Sequence, residues 1–175
     1  LLQRITDVLI THLRGQIEAG AQLVQVFDSW AGLLGPDTFQ SVGLPYLRQI
    51  AKALKASHPH TPSIVFAKGA PYALEALADT PFDVIALDWT MDPREARAIV
   101  GDRAVLQGNL DPCALYAPPN NIRAAVGNML SAFGPHGHIA NLGHGMHPDH
   151  DPEHARAFIE AVHEQSTQQR ATKPA

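Results

Sequence analysis

Apolar positions along the chain switch repeatedly between helical and strand spacing. Leu2, Ile5, Leu9, Leu13 and Ile17 recur at helical intervals, which predicts an amphipathic opening helix ending near Gly20. Ala21–Phe27 then forms an apolar run of strand length, and Leu44, Leu47, Ile50 and Leu54 share one face of a longer helical segment. Compact strand-to-helix units follow, with strands expected near Ser63–Ala67, Asp83–Leu87, Ala104–Gln107 and His138–Leu142. Near-continuous apolar strands are those of a parallel sheet, which is covered on both faces.

Helix starts are marked by local chemistry. Asp92-Pro93-Arg94-Glu95 supplies an N-cap, a proline at the first helical position and a glutamate three residues after the cap. Asp151-Pro152-Glu153 repeats the first two elements ahead of Ala155, Phe158, Ile159 and Val162. Ile122, Val126, Met129, Leu130 and Phe133 form another helical stripe. No linker or low-complexity segment interrupts residues 1–164, which read as one unit; residues 165–175 are polar, lack an apolar stripe and are expected to fray. Five parallel strands fit either a doubly wound open sheet or five-eighths of a (β/α)₈ barrel. No G-x-G-x-x-G or G-x-x-x-x-G-K-[ST] motif follows a strand, which disfavours a nucleotide-binding open sheet. The pattern alone leaves both architectures open.

Composition narrows the class of function more than the fold. The 175 residues are 45% hydrophobic and 17% charged, with a formal net charge of −4 and no basic block. That argues against general nucleic-acid binding while leaving room for an anionic small molecule, which local groups would hold. No stretch approaches the roughly 20 apolar residues of a membrane span. Leu1–Leu13 is amphipathic rather than basic-then-apolar, so no secretory signal is expected, and the missing initiator Met suggests a processed product or a fragment. Cys113 is the single cysteine, which rules out an internal disulfide and a multi-cysteine zinc site and fits a reducing compartment.

Candidate chemistry gathers at the carboxyl ends of the expected strands, the functional face of both architectures. Five segments turn abruptly polar there: Phe27-Asp28-Ser29-Trp30, Ala67-Lys68-Gly69, Leu87-Asp88-Trp89-Thr90, Gln107-Gly108-Asn109-Leu110-Asp111-Pro112 and Asn141-Leu142-Gly143-His144-Gly145. His144 stands between two glycines that permit close backbone approach, where an imidazole can bind a carboxylate or carry a proton. Asp28, Ser29 and Asp88 offer groups for ligand N–H bonds, helix capping or pairing with Lys68, whereas Asp111 before Pro112 reads as a cap. Lys68 raises the rival reading of a Schiff-base lyase. The ten histidines have no H-E-x-x-H spacing, so no metal is expected, and His150 and His154 read as surface residues around a helix start.

These same segments resemble, in order, the strand ends of uroporphyrinogen decarboxylases. Gln25-Val26-Phe27-Asp28-Ser29-Trp30-Ala31-Gly32 with Leu34-Gly35-Pro36 is similar to the stretch opening the second half of that family. Ile64-Val65-Phe66-Ala67-Lys68-Gly69, Leu87-Asp88-Trp89-Thr90, Leu106 through Pro112 and Asn141 through Gly145 resemble its next four strand ends. The resemblance runs from about Leu2 to Glu164 and implies a (β/α)₈ TIM barrel, of which this chain supplies about the last five βα units.

The resemblance further implies a carboxy-lyase of haem and porphyrin biosynthesis. Its substrate would be a small-molecule tetrapyrrole, uroporphyrinogen III, whose four acetate side chains become methyls to give coproporphyrinogen III and CO₂. No cofactor or metal, no nucleic acid and no membrane partner is implied; the parent protein would be a homodimer of the cytoplasm, or of the plastid in a photosynthetic eukaryote. Ser29 and His144 match family positions that contact substrate. The family's arginine-rich loop, its central aspartate and its substrate-contacting tyrosine precede the position of Leu1, so the principal catalytic groups are expected upstream. The isolated chain is therefore expected to be inactive, with a non-catalytic truncated barrel that keeps only binding or dimer contacts as the other outcome. Zinc-dependent corrinoid methyltransferases of the wider superfamily carry a His-x-Cys pair where this sequence has Phe66-Ala67-Lys68, and this chain lacks those thiolates.

Overall fold

Helices and strands alternate along the chain as the apolar spacing predicts, in a computed structural model that describes residues 1–172. The sheet is five-stranded in the order β1-β2-β3-β4-β5, and each described pairing is parallel. Contacts divide the chain into two compact units: Leu1–Ala86 with Ile99–Ala104, and Leu87–Ala98 with the chain from Val105 onward.

In the first unit, β1 (Val24–Asp28), β2 (Ser63–Ala67) and β3 (Val84–Ala86) pair in register, Val24 opposite Ser63 and Ile64 opposite Val84. The strand β1 begins and ends later than the apolar run suggested, because Ala21 caps the helical C-terminus through its N–H to Gln16 O at 2.9 Å. Helix α1 (Leu2–Glu18) packs on α3 (Leu44–Ser57), with Arg14 Nη2 donating to Ala53 O at 3.1 Å. Between β1 and α3 lie a 3₁₀ turn (Ala31–Leu33), α2 (Pro36–Thr38) and a π-helical turn (Phe39–Gly43) that buries Phe39 completely. A short helix, α4 (Leu74–Ala78), leads to β3. At the start of β2 the carboxylate of Asp83 accepts from Ser63 N at 2.8 Å and pairs with Lys55 Nζ at 2.6 Å. The backbone donor of a buried serine is thereby paired by the residue just before β3.

In the second unit, β4 (Val105–Leu110) and β5 (His138–Leu142) pair from Leu106 opposite His138 to Leu110 opposite Leu142. Helix α6 (Pro119–Phe133) buries the expected stripe Ile122, Val126, Met129, Leu130 and Phe133, and packs on α7 (Pro152–Thr172). Both sequence-marked helix starts form. Asp92 Oδ1 accepts from Arg94 N at 2.7 Å and Glu95 N at 3.2 Å ahead of α5 (Pro93–Val100), and Asp151 Oδ1 accepts from Glu153 N at 2.9 Å ahead of α7. Asp111 likewise accepts from Cys113 N at 2.9 Å to start a 3₁₀ turn, the capping role expected of it. Of the polar tail from Gln165, α7 carries the residues up to Thr172; residues 173–175 lie outside the described residues. With no apolar stripe there, side-chain amides do the holding: Gln165 Nε2 donates to Arg123 O at 2.9 Å and Gln169 Nε2 to Leu130 O at 3.1 Å.

His150 departs from the sequence reading: it is buried at 6% exposure, not a surface residue. The loop before α7 folds onto Tyr116, whose ring lies 4.2 Å from that of His150 and whose hydroxyl donates to Asp149 Oδ1 at 2.8 Å. His154 is half-buried as well, its Nδ1 donating to Leu115 O at 2.7 Å.

His138, at the start of β5, stacks on Phe133 with ring centroids 3.9 Å apart, and its Nε2 donates to Gly108 O at 2.7 Å. Burial pushes its pKa below the ordinary 6.5; the hydrogen bond to Gly108 opposes that shift and the charge of Arg97 adds to it. The folded protein therefore binds fewer protons here than the unfolded chain, so this contribution to stability is present above pH 6.5 and is lost as pH falls through the depressed value. Thermal unfolding of the full-length protein between about pH 7.5 and pH 5 is expected to show a steeper fall for the native sequence than for His138→Gln. Parallel falls would remove His138 from the pH response.

Candidate functional site

Polar side chains appear where apolar strands end, and each unit builds its own cluster of them. In the first unit, the register that sets Asp28 opposite Ala67 brings Asp28-Ser29 beside Lys68. Lys68 N donates to Asp28 O at 3.1 Å, and Gly32 N donates to Lys68 O at 2.9 Å, so the turns after β1 and β2 are laced together. The approach is close enough to require glycine: a Cβ on Gly32 would sit 2.6 Å from Gly69 O, and Gly69 itself has φ +71°. Tyr72 closes the same turns, its hydroxyl donating to Leu34 O at 2.5 Å and to Ala31 O at 3.2 Å. Ser29 and Lys68 are half-buried. Burial raises the pKa of the Asp28 carboxyl above its ordinary 3.8, and the N–H of Trp30 partly offsets this. The Tyr72 hydroxyl is held above its ordinary 10.0 by burial and by the charge of Asp28. Phe27, beside this cluster, is an exposed aromatic whose ring meets Phe66 edge-on at 6.1 Å.

In the second unit, the turn after β3, the end of β4 and the loop after β5 converge. Asp88 is buried and forms an Asx turn, its Oδ1 accepting from Thr90 N at 2.9 Å and Thr90 Oγ1 at 2.5 Å. Gln107 and Asn109, both on β4 and both 7% exposed, are buried amides at the strand's carboxyl end. Asn109 Nδ2 donates to Asp88 O at 2.8 Å and to Met91 O at 2.7 Å. Gly143 N donates to Leu110 O at 2.7 Å, which sets the loop carrying His144 beside the Asp88 turn. His144 is exposed, and its ring meets that of Trp89 edge-on at 6.2 Å. Among the described residues, no group of three or more His, Cys, Asp or Glu side chains is arranged to hold a metal ion. No helix among them is long and apolar enough to cross a membrane.

The family model for uroporphyrinogen decarboxylase (URO-D) matches residues 1–165 of the chain. This chain belongs to the uroporphyrinogen decarboxylase family. It is 65% identical over 170 residues to uroporphyrinogen decarboxylase of Salinibacter ruber, covering 97% of this chain and 48% of that protein. It is 52% identical over 171 residues to uroporphyrinogen decarboxylase of Homo sapiens, covering 95% and 47% respectively. The chain thus spans about half the length of the curated relatives it matches. Among solved structures, a methyltransferase from Methanosarcina mazei superposes with TM-score 0.80 at 23% identity, over 91% of this chain and 47% of that one, a likeness of fold alone. With the five parallel strands, these matches decide between the two architectures left open by apolar spacing: the chain is part of the family's TIM-barrel-like fold.

Of the two residues singled out by resemblance to uroporphyrinogen decarboxylases, Ser29 lies in the first unit and His144 in the second, each at a strand's carboxyl end. Asp88 closes its own turn through Thr90, a role the sequence reading did not give it, and the following helix is capped by Asp92 instead. Tyr72 was missed, and Asn109 stood only inside a strand-end segment with no role of its own. Nothing in spacing marks either one, since their partners lie 38 and 41 residues away for Tyr72 and 21 and 18 residues away for Asn109. For Asn109 a signal did exist: an amide at the end of an apolar strand has to find partners once buried.

Proposed function

We propose that the full-length protein carrying this chain is a uroporphyrinogen decarboxylase acting on uroporphyrinogen III. The carrying observation is the family match across residues 1–165, with 65% identity over 170 residues to a relative of that name. In the proposed reaction, a proton is added to the pyrrole α-carbon next to the ring carbon that bears an acetate arm, which leaves a cation conjugated to that arm. The bond to the carboxylate carbon then breaks, its electron pair neutralises the ring cation, and CO₂ leaves. The exocyclic methylene takes up a proton to become methyl as the ring carbon's proton is lost. Four such rounds give coproporphyrinogen III. The pyrrole is its own electron sink in this scheme, so no cofactor is called for.

The chain's own groups suit parts of that task. His144 is exposed on a loop of two glycines, where its imidazole can bind a substrate carboxylate or pass a proton to substrate. Ser29, half-buried after β1, offers a hydroxyl to a second carboxylate, and Asp28 beside it has a carboxyl whose raised pKa favours the protonated form more than an ordinary aspartate's does. The remaining anion-binding and catalytic groups, the homodimer contact and a cytoplasmic setting are part of the same proposal.

The test is turnover by the full-length protein, read as coproporphyrinogen by fluorescence after oxidation and chromatography. His144→Asn is expected to lower kcat/KM by about 10²-fold, the low end of a positioned acid–base group, with an unchanged Tm. Ser29→Ala is expected to act in the same direction and less strongly, by about one lost hydrogen bond, or roughly tenfold. Unchanged kinetics for His144→Asn would leave that histidine a packing residue in a tight turn.

A further inference from the structure

The second unit contains a side chain that ties the end of β4 to the turn after β3 without facing solvent. Asn109 is buried on β4, and its single amide nitrogen holds the carbonyls of Asp88, 2.8 Å away, and Met91, 2.7 Å away. Those carbonyls are the two ends of one turn, and Asp88 Oδ1 bonded to Thr90 N and Oγ1 closes the turn from inside. The turn is therefore a small ring fixed from outside by one carboxamide.

The loop of His144 rests on that ring. A Cβ on Gly143 would lie 2.4 Å from Trp89 N and 3.0 Å from the carbonyl carbon of Asp88, so the backbone of Gly143 lies directly on the Asp88–Trp89 peptide. One residue later, the His144 ring meets the Trp89 ring at 6.2 Å and 89°. Moving the 88–91 turn thus moves both the backbone seat and the aromatic wall of His144.

We infer that Asn109 is a positioning residue for His144, acting through the Asp88–Met91 turn and Trp89; this rests on the reading that His144 works on substrate. The chemistry selects asparagine. Two donors on one nitrogen are needed at short reach, and neither carbonyl can give a proton back. Aspartate has no donor to offer, leucine has the shape without the N–H groups, and glutamine puts the same amide one methylene too far along. A displacement of about 1 Å at a reacting group costs on the order of 10²-fold in rate.

The experiment is a double-mutant cycle in the full-length protein. Asn109→Ala alone is expected to lower kcat/KM by about 10²-fold. In a His144→Asn background the same change is expected to cost less than about threefold, because the group being positioned is already gone. An equal loss in both backgrounds would overturn the inference and leave Asn109 a general support of the fold. If Asn109→Ala does not fold, Trp89→Leu takes its place in the cycle, with rescue by Trp89→Phe as the expected result and no rescue counting against the aromatic wall.

A second readout does not depend on turnover. In carbon–proton NMR of the histidine rings of the substrate-free protein, the His144 signal is expected to shift in Asn109→Ala while the His12 signal, in the first unit, stays in place. An unmoved His144 signal would overturn the positioning role. A shifted signal in a protein that does not decarboxylate uroporphyrinogen would instead overturn the proposed function and keep the geometry.

Discussion

Purified by itself, the 175-residue chain is expected to form no coproporphyrinogen above background and to self-associate in solution. A parallel sheet is stable when both faces are covered, and the two outer strands here are not. Phe27 on β1 is 66% exposed and Ile139 on β5 is 37% exposed, whereas Val65 on β2 and Ile85 on β3 are at 0% and 1%. Helix α1 leaves Ile5 and Val8 in solvent on its unburied side. Each outer strand also presents a row of backbone donors and acceptors that another strand can pair with, which favours aggregation over a soluble monomer. The relatives it matches are about twice its length. Chromatographic assay of product together with size-exclusion chromatography decides the matter. A monomeric chain that turns over uroporphyrinogen III would show that these residues suffice.

The other large effect is expected from a single methyl group. Gly143→Ala should lower kcat/KM of the full-length protein by about 10²-fold while costing about 1–3 kcal/mol of stability. The added Cβ would meet Trp89 N at 2.4 Å and Trp89 Cα at 3.0 Å, which are backbone atoms that cannot swing aside as a side-chain tip would. The loop has to lift, and His144 lifts with it. Gly127→Ala is the informative contrast: its Cβ would meet Gln165 Oε1 at 2.6 Å, the far end of a flexible side chain, so rotation of that amide relieves the clash. Kinetics and thermal unfolding of the two variants side by side read the difference. Native kinetics for Gly143→Ala would mean that the His144 loop is free to shift without consequence, and would weaken the positioning argument for Asn109.

Local rules carried much of the architecture. The strands β2 and β5 fall where the apolar runs place them, and β3 and β4 overlap their expected runs. Asp92, Asp111 and Asp151 cap as their neighbouring prolines suggest, because an aspartate before a proline reaches the next free N–H groups with no help from the rest of the fold. His150 went the other way. Its burial depends on Tyr116 and the Tyr116–Asp149 hydrogen bond across 33 residues, which no window of sequence displays. The polar stretch from Gln165 is similar: it lacks an apolar face, yet two glutamines bond to carbonyls on α6 some 40 residues back.

For this protein, the sequence by itself determined the parallel α/β order and the strand-end location of every candidate segment, which depend on spacing and residue type, and its motifs carried the resemblance to a decarboxylase family. Tertiary structure alone decided which of those segments touch. The closeness of Gly32 to Gly69, of Gly143 to Trp89, and of Asn109 to two carbonyls of one turn follows from strand register and the packing of loops from different parts of the chain. Spacing is a local property that hydrophobic burial enforces everywhere along the chain. The direction of an imidazole is set by contacts between residues far apart in sequence, and only the folded arrangement brings those residues together.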